Sequence, residues 1–382
     1  MKIKTISPLH IGRGTFLSFA EYITSKDKIY VANENRLLEE LRVKNLLERF
    51  TKDIVEKGKT NENDLTSIIK SYDLYTLSFA DKISAYHISK SFAIGASKKP
   101  ELLPFIRNGF YGPYIPGSSI KGSIRTAVLY SYLKNVSKKD YESFVNAFRE
   151  KTQKIPNNYP MKEGQKKRFS KDFLDPIFNG YFLSENSKSD RRHRFGPNTD
   201  IMRALQISDS TPLGKDSLEL KRVRIINNKR GEANMLQIKL APECVPEGQE
   251  LECKLKVDKE VLKFFEDFND KPLPFKNEKD ILDACYEFAK DITKAEISYF
   301  ESIKNYDVNG ILTFYEGLDA NLKLGWASGL LATTVILLLD EEDRAQYKKF
   351  FRNYSKDIPV SRRIVTGEND EIISTMGWVK IS

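Results

Sequence analysis

Three glycine-punctuated stretches, far apart in the chain, constrain it more than anything else in the sequence. They are SPLHIGRG (Ser7 to Gly14), YIPGSSIKGSIRTAVLY (Tyr114 to Tyr130) and LKLGWASGLLATT (Leu322 to Thr334). Each sets glycines beside a cation at the end of an apolar run or the start of a helix, which exposes backbone amides to an anion. One such match carries little weight. Three of them in a chain with 62 Lys and Arg against 53 Asp and Glu, a net charge of +9, point to a polyanion. On charge alone, a lysine-rich solvated surface accounts for the composition equally well.

The 382 residues are enough for two or three domain-sized units. Three cysteines, Cys244, Cys253 and Cys285, cannot build a disulfide framework, and MKIKTISPLH lacks the apolar core of a signal peptide. The longest apolar run, Gly329 to Leu339, is too short to span a bilayer. These features lead us to expect a reducing, cytoplasmic setting.

Met1 to Ile6 reads as a first strand, followed by helical periodicity from Asn33 to about Lys59 and polar material to about Pro104. Residues 151–194 are polar, Pro-punctuated and basic, with KKRFSK (Lys166 to Lys171) and RRHR (Arg191 to Arg194), and read as an excursion from the core. Strand patterns follow at Ala204–Ser208, Leu220–Ile226, Met235–Glu243 and Glu250–Val257, the last two forming an expected hairpin around CVPEGQ. A helix from about Glu278 to Ile303 and a closing strand, GWVKI, complete the pattern.

This order predicts an α+β fold, a ferredoxin-like (RRM-type) βαββαβ core with large helical and loop insertions, with scope for a second, degenerate unit of the same kind. The expected division is 1–32 and 105–260 as core, with a basic insertion at 151–198. A helical insertion occupies 33–104, and 261–382 closes the core.

In the central motif Pro116 and Gly117 turn the chain, and Ser118 or Ser119 is placed to cap the helix. Ile120, Ile124, Ala127 and Val128 share one buried face, while Lys121 and Arg125, one turn apart, address a single partner. Gly122 costs about 1 kcal/mol relative to Ala in a helix, so we expect something to approach the backbone there. Gly12 and Gly14 flank Arg13 after the first strand without forming a dinucleotide fingerprint. In the third motif Lys323, Gly325, Trp326 and Gly329 lie together, and Thr333 and Thr334 are expected to open an apolar helix. Trp326 suits either base stacking or packing.

Together with NTDIMRALQISDS (Asn198 to Ser210), these motifs resemble the RAMP superfamily of CRISPR effector proteins, and within it the capping subunits of type III-A (Csm) complexes. The resemblance implies an RRM-like fold and a non-catalytic subunit that binds CRISPR RNA near its 3′ end and supports guide maturation. It implies the backbone and small Csm subunits as partners, host nucleases as trimmers of the guide, and no cofactor. Carried onto this sequence, RNA contact falls at Gly12, Arg13, Gly14, Ser119, Lys121, Gly122, Arg125, Lys323, Gly325, Trp326 and Gly329.

Two alternatives remain open at this level. One is a metal-independent endoribonuclease using His10 or His193 as acid or base. The other is a target-RNA-cleaving backbone subunit with a metal near Asp200 or Asp209, although Asp200 also suits a helix cap and Asp209 a strand-end turn. Cys244 and Cys253 could meet across the expected hairpin, but lack a second pair for zinc.

Overall fold

A computed structural model describes residues 1–18, 20–57, 64–90, 92, 101–154, 162, 164–165, 177–182, 196–346, 359–367 and 369–382. The fold is mixed α+β. Its smaller sheet is antiparallel, with Lys2–Thr5 between Glu250–Glu252 and Trp378–Ile381, and Leu322–Lys323 beyond the latter. The first strand forms because its side chains alternate: Lys2 and Lys4 face solvent while Ile3 and Thr5 are buried.

Beyond Glu252 the chain continues into Leu255–Val257, which pairs antiparallel with Leu205–Ile207. Bonds from Thr211 N to Glu252 O (2.8 Å) and Ser208 N to Lys254 O (2.9 Å) stitch the interruption. In space the order is therefore 205–207, 250–257, 2–5, 378–381, 322–323. The central helix Gly117–Asn135 and the long helix Glu278–Glu301 pack on each other and share one core with this sheet, including Ile3, Ile120, Ile124, Phe288, Ile292 and Val379. Tyr130 and Phe288 meet at 4.6 Å, and Tyr130 donates to Asp291 at 2.8 Å.

The larger sheet runs in the order 372–375, 361–366, 223–229, 240–244, 219–220, 84–90, 28–32, 22–24, with Glu101–Leu103 parallel to Leu240–Cys244 and Glu232–Met235 returning from Val223–Lys229. Short helices between Glu34 and Ile83 cover the far edge through a separate core of Leu37, Leu41, Ile68, Ile69 and Phe79 against Ile23 and Tyr30.

Three expectations are corrected. The periodicity from Asn33 to Lys59 makes two helices, Glu34–Val43 and Leu47–Lys57, because Asn45 adopts a left-handed conformation (φ 54°) that a continuous helix cannot contain. The segment 33–104 also contributes strands Ser84–Lys90 and Glu101–Leu103 to the larger sheet, so it is helical only as far as Ile83. The hairpin around CVPEGQ does not form. All of Leu240–Cys244 is buried within the larger sheet, and the chain then crosses to the smaller one beside the first strand, with Val245 pairing Leu9 and Leu251 pairing Ile3. The basic runs 166–171 and 191–194, and His193, lie outside the described residues.

Candidate nucleic-acid interface

His10 joins the first and third motifs. Its Nδ1 lies 2.7 Å from the Glu243 carbonyl oxygen, which can only accept, so Nδ1 carries the proton. Its own carbonyl accepts from Trp326 N at 3.0 Å, and its ring meets Phe105 and Trp326 edge-on. Gly325 is required there. A Cβ would sit 2.3 Å from the His10 carbonyl oxygen, and its φ of +84° belongs to the left-handed region. Gly12 is close-packed in the same way, since a Cβ would come within 2.9 Å of His10 Nε2.

His10 is 2% exposed, Nε2 has no hydrogen-bond partner, and burial lowers its pKa to about 4, only partly opposed by the bond to Glu243. A histidine so enclosed cannot reach a scissile phosphate. The catalytic alternative at His10 is therefore corrected to a structural role.

From this anchor, Gly12, Arg13 and Gly14 emerge as an exposed loop. Gly12 pairs with Phe105, Arg13 N donates to Pro104 O, and the Arg13 side chain, 44% exposed, reaches Thr15 at 2.9 Å and Glu21 at 3.4 Å. Gly14 has φ +87° with open space on its Cβ side.

The third motif packs onto the central helix through the short helix Gly329–Thr333. Gly329 is exposed and open, with φ +69°. Thr333 and Thr334 end that helix instead of opening one, because their hydroxyls donate back to the carbonyls of Gly329 and Leu330. Trp326 is half-buried, with the Arg363 guanidinium 4.2 Å above its ring, which is the packing arrangement.

Lys323, expected at an RNA contact, is instead buried. It is 5% exposed, its amino group lies 4.8 Å from the centre of the Trp378 ring, and burial pulls its pKa down to about 8, with Glu296 opposing.

On the central helix Ile120, Ile124, Ala127 and Val128 are buried, as their spacing requires. Neither Ser118 nor Ser119 caps it. Pro116 holds the cap position, and the Asp209 carboxylate accepts from Gly117 N at 2.8 Å. Lys121 and Arg125 do not share one partner: each is bonded to a different residue of the segment 200–205 of the chain itself. Lys121 Nζ donates to Leu205 O at 2.7 Å, and Arg125 forms a two-bond pair with Asp200 (2.7 and 3.0 Å) while stacking on Phe178. Burial lowers the Lys121 pKa, with Asp200 opposing. Gly122 is exposed, with nothing within 4 Å of where a Cβ would lie, and Ser119 is half-buried.

Asp200, besides holding Arg125, caps the turn Ile201–Ala204 through Met202 N. Both aspartates considered for a metal are thus engaged with the protein. Cys244 and Cys253 are free, buried and in separate parts of the fold.

Sequence reasoning missed Glu243, which is fully buried yet fixes His10 through its carbonyl and Arg107 through its carboxylate at 3.0 Å. The available signal was a glutamate inside the apolar strand LAPEC.

The sequence model of the RAMP superfamily matches residues 2–363. The chain belongs to the RAMP superfamily. Among curated RAMP relatives, the "CRISPR system Cms protein Csm5" of Streptococcus thermophilus is 28% identical over 200 residues, 50% of this chain and 52% of that one. That match thus spans about half the length of the relative. The Csm5 of Methanocaldococcus jannaschii is 23% identical and covers 100% of this chain and 88% of its own. Among solved structures, a chain of a Csm-crRNA-target RNA ternary complex of a type III-A CRISPR-Cas system superposes with a TM-score of 0.70 at 26% identity, covering 100% of this chain and 99% of that one. The crystal structure of T.onnurineus Csm5 gives 0.68 at 26% identity, covering both chains in full.

Proposed function

We propose that this chain is a non-catalytic RNA-binding subunit of a type III-A Csm complex. In this reading it caps the 3′ region of the CRISPR RNA beside the repeated backbone subunit and the small subunit, and host nucleases trim the guide to the boundary it sets. The observation that carries the proposal is the end-to-end likeness to a chain of a Csm-crRNA-target RNA complex, at TM-score 0.70 over 100% of this chain. The strand order 205–207, 250–257, 2–5, 378–381, under two helices, supports a ferredoxin-like core with Leu322–Lys323 added at its edge.

The RNA-facing surface comprises Gly12, Arg13 and Gly14, the open backbone of Gly122 and Gly329, and the partly exposed Ser119, Lys121 and Arg125. Backbone amides and cations of this kind position phosphates without reading bases. Gly325, Lys323 and Trp326 act behind that surface by holding the loops.

The test has two arms. Purified protein is titrated with single-stranded RNA at several salt concentrations, and guide 3′ ends are sequenced from complexes assembled with and without the chain. The expected results are an affinity that falls steeply with salt, by about 0.7 log units per contact for each log unit of salt, and ragged guide ends when the chain is absent. A salt-independent affinity would overturn RNA binding, and unchanged guide ends would overturn 3′ capping.

A further inference from the structure

Phe110 is 89% exposed, more than any other large hydrophobic residue among those described, yet the loop that carries it is held from every side. Arg107 pairs with Pro113 across its base. The Asn108 side-chain oxygen accepts from Phe110 N and Gly112 N, both at 2.9 Å, while Asn108 N donates to Gly112 O at 3.0 Å. Tyr111 takes a left-handed φ of 63°, which costs a non-glycine residue on the order of 1 kcal/mol.

The anchor beneath is a buried ion pair. Arg107 donates to Glu243 at 3.0 Å, to Tyr111 O at 2.9 Å and to Lys215 O at 2.6 Å, and its guanidinium stacks 3.6 Å over Tyr86. Glu243 also accepts from Phe105 N and Tyr86 OH, both at 3.1 Å. Strained backbone and a desolvated salt bridge therefore fix a loop whose tip ring touches solvent. Stability does not call for that arrangement, whereas a preformed contact does.

Two observations select the partner. Within the loop from Arg107 to Pro113 the exposed neighbours of Phe110 include Gly109, and the one other exposed large apolar side chain of that loop is Tyr111 at 38%. A protein interface needs a contiguous core patch of several hundred Å², but a nucleobase needs a single accessible ring. The loop also lies between the glycine motifs: Phe105 pairs with Gly12, and Pro113 leads within four residues into the central helix at Gly117. Gly109, with open space on its Cβ side, leaves the ring's approach clear.

We propose that Phe110 is a stacking platform for one base of the bound RNA strand, an inference that rests on the RNA-binding reading above. Stacking is indifferent to base identity, so it adds affinity and register to a backbone-tracking surface without adding sequence preference.

The test uses the full chain with Phe110→Ala and Phe110→Trp, and a single-stranded RNA carrying 2-aminopurine at successive positions. Phe110→Ala is expected to melt like wild type, to lose about tenfold in RNA affinity, and to keep the wild-type salt slope because no phosphate contact is removed. Phe110→Trp should retain affinity. 2-Aminopurine fluorescence should be quenched at one register in wild type and Phe110→Trp, and not in Phe110→Ala. If wild type binds with its salt slope but Phe110→Ala binds equally well, this inference fails and the RNA-binding reading stands. If Phe110→Ala binds RNA normally but no longer joins the other subunits, the ring docks on protein and the inference again fails. If wild type itself shows no salt-dependent binding, the underlying reading fails first.

Discussion

Lowering the pH should loosen the joint between the first and third glycine motifs through His10. Burial holds the His10 pKa at about 4 against 6.5 in an unstructured chain. The unfolded chain therefore takes up a proton first, and folding stability falls as the pH drops from about 6.5 toward 4, then levels off. Above 6.5 the contribution is fully present. Each pH unit of displacement corresponds to about 1.4 kcal/mol, so the whole effect is roughly 3 kcal/mol, a large share of the stability of an ordinary domain. Solvent screening takes little from it, because the ring is 2% exposed. The physical source is the proton that Nε2 would have to accept where it has no partner, while Nδ1 already donates to Glu243. The control is His10→Asn, which retains an amide donor near that carbonyl but does not titrate. Losing the ring should cost it about 1–3 kcal/mol at neutral pH. Urea unfolding of both proteins from pH 7.5 to 4 provides the measurement, and the difference between the two curves isolates His10 from the carboxylates that titrate nearby. Wild type should converge on the variant as the pH falls. Parallel curves would refute the assignment of His10 as a buried, neutral strut.

The remaining expectations also separate structural positions from those proposed to face RNA. Gly325→Ala, which drives a methyl against the His10 carbonyl at a left-handed position, should destabilise by more than about 2 kcal/mol, whereas Gly122→Leu should melt at or above the wild-type temperature and weaken RNA binding; equal melts for the two would contradict the packing described. Lys121→Ala combined with Arg125→Ala removes the bonds to Leu205 and Asp200 and should cost about 2 kcal/mol or more, visible as a lower melting midpoint; an unchanged midpoint would mean that these cations are held for RNA alone. Lys323→Met removes a buried charge beside the Glu296–Arg362 pair and should leave stability equal or raise it by about 1 kcal/mol, an outcome that a drop in the urea midpoint would exclude.

How far the sequence reveals this molecule depends on how local each determinant is. Ile120, Ile124, Ala127 and Val128 were readable because helical spacing alone puts them on one face, and the closing strand was readable because Gly377 precedes it at φ +85°. The convergence of the glycine motifs was only half legible. Glycines announce left-handed turns and close approaches, but nothing local says that Gly325 abuts His10 and not an RNA phosphate. The same limit governs the cations. Lys121 and Arg125 do converge as their i, i+4 spacing indicates, yet their partners lie 84 and 75 residues away. The failed hairpin has another cause. Leu240–Cys244 is buried on both faces and so shows no alternation to mark which sheet it joins, and the turn residues after it serve a crossing between sheets. Phe110 was overlooked because an aromatic beside Asn-Gly reads as an ordinary turn. Its significance lies in the buried pair of Arg107 and Glu243, separated by 136 residues, which lets a tight loop hold one ring in solvent. Long-range contacts in this fold decide which residues stay exposed, and local sequence patterns report mainly what is buried.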